Sequence, residues 1–246
     1  MENEKKKGLN TNSNSYTIIY SVIIVIIVAF LLAFVSKGLE KRQNENVALD
    51  AKKQILYALN IRDISDEEAK QRYTDVVLSD DIIDKDGNIT TKGEKGGESA
   101  GFKLNSSDAK EGRLAIYTCT IDGETKYVVP VYGMGLWGAI RGYISINSDG
   151  NTVYGAYFNH DSETAGLGAE IKDNTAWQQL FKGKTIFSED GSKVILAVKK
   201  KVENKDSEVD AITGATLTSD GVSLMLKDGL QPYAKFLTDN KQKEEK

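Results

Sequence analysis

The chain has 246 residues, of which 40% are hydrophobic and 28% charged, with a formal net charge of -4. That is room for one sizeable domain with appendages or two small ones, without the basic footprint that nucleic-acid binding demands. One cysteine, Cys119, and one histidine, His160, exclude an internal disulfide framework and a cysteine cluster for zinc or iron–sulfur, and argue against a His-rich metal site or a serine-type triad. No metal site and no catalytic side chain are therefore predicted, and the chemistry points to a borrowed cofactor.

Residues 1–15 are a polar tail. Residues 16–35 (YTIIYSVIIVIIVAFLLAFV) contain no charge and no proline and match the roughly 20 residues that cross a bilayer as a helix. A cleaved signal peptide would have a shorter apolar run, about 7–15 residues, before a small-x-small site, and Phe34-Val35-Ser36-Lys37 is a poor one. The segment is predicted to be a retained membrane anchor. Its orientation is left open by charge: Lys5, Lys6 and Lys7 precede it and Lys37, Lys41 and Arg42 follow it, a tie under the positive-inside rule.

Residues 36–100 are predicted as a juxtamembrane helix and a polar linker. Val47, Ala51, Ile55 and Leu59 form an apolar stripe at spacings of four, and Asp84-Lys85-Asp86-Gly87-Asn88 is a turn signal. The compact domain is placed at 101–238, after the Gly/Lys-rich stretch 91–101, with a charged tail at 239–246. Strands are predicted at 113–121 and 125–132 around the Asp122-Gly123 turn, and at 142–147 and 152–159 around a second hairpin turn. A short amphipathic helix carries Trp177, Leu180 and Phe181. A strand follows at 193–199, then a last helix over 219–237 with Val222, Met225, Leu226 and Leu230 on one face. The fold class is α+β: one N-terminal transmembrane helix, then a mostly antiparallel sheet with flanking helices.

The segment most able to carry chemistry is Asp210-Ala211-Ile212-Thr213-Gly214-Ala215-Thr216-Leu217-Thr218-Ser219, a hydroxyl-rich loop running into that last helix. Gly214 and Ala215 allow close approach to the backbone, and Ser219 or Thr218 is expected to cap the helix. A helix N-terminus readily holds an anion, so a phosphate near Thr216 would be stabilised. An ordinary Ser/Thr-rich helix start explains the same residues. Two further loops are rich in small residues: Gly133-Met134-Gly135-Leu136-Trp137-Gly138, and His160-Asp161-Ser162-Glu163-Thr164-Ala165-Gly166-Leu167-Gly168. Alone, the first reads better as a flexible turn with a core tryptophan, and the second as a surface connection with His160 merely solvated.

The segment DAITGATLTS resembles the flavinylation motif of the FMN-binding domain family, with Asp210 at the leading acidic position and Thr213 where serine is more usual. With the GLWG and HxxETxGLG patterns, in that order, the chain is similar to the C subunits of the Na+-translocating NADH:quinone reductases from the anchor through the last helix. Ala165 stands where that family usually has proline. The homologous G subunits of ferredoxin:NAD electron-transport complexes share the anchor, the HxxETxGLG-like loop and the flavinylated threonine. An anchored outer-face binding domain without flavin is a third reading.

The resemblance implies FMN joined through its phosphate to the Thr216 hydroxyl by a flavin transferase, with Thr213 and Thr218 as rival acceptors on chemistry alone. It implies cofactor contacts from Asp210, Thr213, Gly214, Ala215, Leu217 and Thr218. Leu136, Trp137 and Leu167 would give apolar contact, Glu163 and Thr164 polar contact, and Gly135, Gly166 and Gly168 close approach. Lys199 or Lys200 would offset phosphate charge or stabilise a reduced, anionic ring. The family role implied is an electron relay within a multisubunit oxidoreductase of the cytoplasmic membrane, with the domain on the outer side. No dinucleotide fingerprint follows a strand and opens a helix, so NADH itself is not an expected ligand.

Overall fold

The structure, a computed structural model, describes residues 11 and 13–244, with side chains through position 239. Lys5, Lys6 and Lys7 lie outside the described residues, with most of the polar tail and positions 245–246. The chain divides into two units, Met1–Ala48 and Leu49–Lys246. Helix α1, Asn14–Ala58, supplies the regular structure of the first and opens the second.

In the first unit, α1 contains an 18-residue window of mean hydropathy 3.2, long and apolar enough to cross a membrane. The isoleucines, valines, leucines and phenylalanines of α1 from Ile18 to Val47 are exposed. The β-branched residues are poor intrinsic helix formers. Helix is nonetheless the conformation such a run needs in hydrocarbon, where each backbone N–H must find its acceptor within the segment. Val47, assigned by its spacing to the stripe of Ile55 and Leu59, falls in this unit and is exposed.

In the second unit, α1 ends in a Schellman arrangement. Asn60 takes φ +62, and the amides of Asn60 and Ile61 donate to Tyr57 and Leu56 carbonyls at 3.1 and 2.9 Å, satisfying two of the helix's orphan acceptors. Helix α2, Asp66–Val76, starts at a capping box in which Ser65 and Glu68 each bond the other's backbone amide. It runs directly into β1, Val77–Ile83. The Asp84 carboxylate then accepts from the amides of Asp86 and Asn88, both at 2.9 Å, and turns the chain into β2, Ile89–Thr91. The sheet therefore begins upstream of position 101, inside the stretch read as linker. The polar character of 61–97 hides it, because β2 is exposed along its whole length.

A 3-10 turn, Gly101–Lys103, and a short helix α3, Ser106–Lys110, lead to β3, Leu114–Ile121, and β4, Glu124–Met134. Asp122 and Gly123 between them have φ +52 and +83, the signs a type I′ turn needs. Strands β5, Ala139–Asn147, and β6, Val153–His160, complete an antiparallel sheet of order β2-β1-β3-β4-β5-β6. Alternate residues face two cores, as the period-2 pleat requires. Tyr127, Val129, Val131, Ile116 and Phe158 pack with the C-terminal helices, while Val128, Ala115, Tyr117 and Tyr157 pack with the end of α1 and α2.

Two short helices follow β6: α4, Glu170–Asp173, and α5, Thr175–Gln179. Trp177 and Phe181 meet Phe158 at ring distances of 5.6 and 5.0 Å, but Leu180 is exposed. The strand expected over 193–199 shortens to β7, Ala197–Lys199, which pairs in parallel with an unanticipated β8, Glu208–Asp210. The last helix also differs. It starts at Thr216 as α6, Thr216–Leu230, breaks into a 3-10 turn at Gln231–Tyr233, and resumes as α7, Ala234–Glu244, into the charged tail. Pro232, which has no N–H to donate, sits in the break. Val222, Met225, Leu226 and Leu230 are buried on one face of α6, which packs against β4 and β7.

Candidate functional site

The loop into α6 is built from β8 onward. The Trp177 indole N–H donates to the Asp210 carbonyl at 2.7 Å, and the Ala211 amide donates to the Lys199 carbonyl at 2.9 Å. Residues 212–215 then turn, with the Ala215 amide on the Ile212 carbonyl at 3.0 Å. Gly214 has φ +79, a value that a third turn position of this kind reserves for glycine. The Ile212 amide donates to Ser219 Oγ at 3.1 Å.

This arrangement corrects the expected cap. The N-cap is Ala215, and no side chain caps α6. Since the helix starts at Thr216, Thr218 and Ser219 lie inside its first turns, both buried, and their hydroxyls bind other partners. The first N–H groups of a helix have no intrahelical acceptor, so α6 presents an uncapped, electropositive N-terminus. Thr216, Thr213 and Gly214 are exposed beside it.

Glu163 joins the three loops. One carboxylate oxygen accepts the Trp137 amide at 2.8 Å and the other accepts the Thr218 hydroxyl at 2.6 Å. The residue is 7% exposed. Burial works to raise its pKa. The bonds from Thr218, Trp137 and Gly138, with His160 nearby, outweigh it and hold the carboxyl below its ordinary range. The loop itself is pinned: the Glu163 amide donates to His160 Nδ1 at 3.1 Å, and Ser162 Oγ donates to the Trp137 carbonyl at 3.1 Å. Gly168 permits this approach, since a Cβ there would lie 2.5 Å from the Glu163 carboxylate and 2.6 Å from Thr218 Oγ1.

Of the residues singled out in sequence, Leu136 and Trp137 lie in the β4–β5 turn, where the Gly135 amide donates to the Gly138 carbonyl at 2.8 Å. Both are exposed, Trp137 by 66%. Leu167 is exposed and approaches Gly214. Thr164 is exposed and its carbonyl accepts the amides of Leu167 and Ala169. Gly166, at φ +72, has open space around it. Lys199 and Asp210 sit opposite one another in the β7–β8 ladder, both exposed, and Lys200 follows, also exposed. Glu163 lies beneath this surface, with both oxygens engaged.

Sequence reasoning passed over Met134 as a member of the exposed apolar set, Ser162 as a loop pin, and the Trp177 indole as the anchor of the Asp210 carbonyl. Only Trp177 carried a usable signal, since a buried indole N–H must find an acceptor. Met134, Leu136, Trp137, Leu167 and Leu217 are all exposed on the three segments that meet at Glu163. None of them lines the cleft of about 320 Å³ between the Pro130–Tyr132 and Pro232–Tyr233 stretches. The site is an open surface with an electropositive helix start, an exposed threonine and apolar side chains. Such a surface suits a planar ring carrying a phosphate.

The family model of the FMN-binding domain matches residues 135–231, a span that takes in all three loops from Gly135 onward. The C subunit of the Na(+)-translocating NADH-quinone reductase of Haemophilus ducreyi is 41% identical over 118 residues, 46% of each chain. That of Neisseria meningitidis serogroup B is 34% identical over 164 residues, 63% of each chain. The matched stretch thus spans about half the length of such curated relatives. The crystal structure of the C subunit from Parabacteroides distasonis superposes with a TM-score of 0.73 at 38% identity, covering 81% of this chain and 97% of that one. With that coverage and identity, the chain belongs to the family of C subunits of Na(+)-translocating NADH-quinone reductases.

Proposed function

We propose that this chain is a membrane-anchored electron-relay subunit of a Na+-translocating NADH:quinone reductase, carrying FMN as a phosphoester on Thr216. The observation that carries the proposal is the uncapped start of α6 with the Thr216 hydroxyl exposed on it. A phosphate there would take up donors that the helix leaves unpaired. The names of the similar proteins, and the FMN-binding family model over residues 135–231, support the same cofactor. When bound, FMN supplies one- and two-electron exchange that the chain's own side chains lack.

The residues divide the work by position. Thr213 and the amides of Thr216, Leu217 and Thr218 would hold the phosphate. Leu136, Trp137, Leu167 and Leu217 would cover one part of the ring and exclude water from it, while Gly166 leaves room for its approach. Lys199 would offset phosphate charge from the end of β7, and Asp210 and Thr164 would give polar contact at the rim. A covalent tether suits an open surface, where exposed residues do not retain a small ligand by enclosure.

Helix α1 would anchor the chain in the cytoplasmic membrane with the domain on the outer side, where the other subunits of the reductase deliver and remove electrons. A flavin transferase would load it. In-gel flavin fluorescence of the denatured full-length chain, produced with a flavin transferase, tests the assignment. A bright wild-type band and a dark Thr216→Ala band are expected. Equal brightness in the two would move the ester to Thr213 or Thr218.

A further inference from the structure

We infer that Glu163 is the positioning residue of the attachment site, fixing the first turn of α6 so that the Thr216 hydroxyl faces the incoming phosphoryl group. The inference rests on the assignment of Thr216 as the FMN acceptor. Attachment requires an activated donor, a flavin dinucleotide or comparable phosphoanhydride. Thr216 Oγ forms the new bond to the flavin-side phosphorus, the anhydride P–O bond breaks, and the non-flavin nucleoside monophosphate leaves with the electron pair. The hydroxyl proton passes to a base of the transferase or to water. This chain contributes only the geometry of its hydroxyl and of the amides around it.

That geometry depends on one side chain. Thr218 is two residues past Thr216 in the same helical turn, so a bond that holds Thr218 also sets the rotation of Thr216. The bond is short, 2.6 Å, and its acceptor is buried and ionised, which makes it among the stronger kinds available. The other Glu163 oxygen holds the Trp137 amide at 2.8 Å, so one carboxylate registers the β4–β5 turn against α6. A Cβ at Gly135 would lie 2.5 Å from one oxygen, and a Cβ at Gly168 the same distance from the other. The two glycine loops are therefore cut to fit this carboxylate, and their lack of side chains has a cause besides ligand approach.

Glutamine can keep both links. Its carbonyl oxygen accepts the Trp137 amide, and its NH₂ donates to Thr218 Oγ, a hydroxyl that accepts as well as donates. Glu163→Ala removes both links, and Thr218→Val removes one without changing side-chain shape. The test is the rate of fluorescent labelling of the full-length chain in detergent by a flavin transferase with flavin dinucleotide, at varied acceptor concentration. Misplaced acceptor atoms lower turnover rather than encounter, so kcat should fall about tenfold or more in Glu163→Ala and Thr218→Val, while KM for the acceptor stays within about threefold. Glu163→Gln should recover most of the rate. Val222→Ala, a buried truncation further along α6, should lose stability without this drop in kcat.

Labelling of Glu163→Ala and Thr218→Val at the wild-type rate would overturn the inference, as would a Glu163→Gln variant as slow as Glu163→Ala, or an equal loss in Val222→Ala. If Glu163→Ala does not fold, Thr218→Val alone decides between these results. A wild type that stays dark while a known acceptor is labelled overturns the Thr216 assignment, and the inference with it. A bright wild type with an equally bright Glu163→Ala overturns the inference alone.

Discussion

Replacing Gly168 by alanine adds one methyl group at a crowded point of the site. The φ of Gly168 lies outside the left-handed region, so the backbone tolerates alanine and the whole cost is steric. The new Cβ would stand 2.5 Å from the Glu163 carboxylate, 2.6 Å from Thr218 Oγ1 and 3.1 Å from Glu163 Cβ. Relief requires separating the Glu163–Thr218 pair. Losing a hydrogen bond to a charged group costs roughly 1.5–3 kcal/mol, and overpacking about 1–3 kcal/mol. Separating the pair relieves the strain, so the two do not add fully, and about 2–3 kcal/mol is the expected loss. Urea denaturation of the full-length chain in detergent, followed by tryptophan fluorescence, measures it as a lower midpoint at unchanged slope. Gly166→Ala is the contrast: it meets no atoms but sits at φ +72, and a left-handed alanine costs about 1–2 kcal/mol. A Gly168→Ala variant within about 0.5 kcal/mol of wild type, the range of ordinary surface changes, would refute the packing of Glu163 described above.

Other outcomes follow from the same structure. The Glu163 carboxyl, ordinarily near 4.5, is held lower in the folded chain. Its stabilisation is therefore complete above the unfolded value and lost as pH falls through the folded one. Below about pH 4.5, wild type should lose stability more steeply than Glu163→Gln in acid titrations of the urea midpoint. Trp177→Phe keeps the aromatic cluster but leaves the Asp210 carbonyl without its 2.7 Å donor, for a loss of about 1 kcal/mol in the same assay. Cys119 is fully buried and its thiol is pushed well above the ordinary range by burial. Iodoacetamide should therefore leave the native chain unlabelled and modify it only in denaturant, as mass spectrometry would show.

Much of the fold was legible because local rules decide it. Asp122-Gly123 specified the β3–β4 hairpin through the positive φ values such a turn needs, and Val222, Met225, Leu226 and Leu230 declared the buried face of α6 by spacing alone. The apolar run at 16–35 was legible from length and lack of charge. Features set by distant partners were not. β8 is three residues long and exists because Val209 meets Val198 across a parallel ladder, which no local pattern announces. β2 is exposed and reads as linker. The start of α6 moved three residues upstream because Gly214 completes a turn that lets Thr216 enter the helix directly, freeing Ser219 to bind Ile212. The three site loops could be ordered in sequence, but their meeting point could not be read. The resemblance implied for Glu163 a polar contact to the cofactor, and only the fold brings Trp137 and Thr218 to its two oxygens. Trp137 would ordinarily be assigned to a core, yet it stands exposed.

Peptide mass spectrometry of the full-length chain matured with a flavin transferase reads the Thr216–phosphate bond itself. The peptide containing residues 210–219 should gain the mass of FMN less one water, and fragmentation should place the gain on Thr216. An unmodified peptide, from a chain matured beside a known acceptor that does gain the mass, would contradict it.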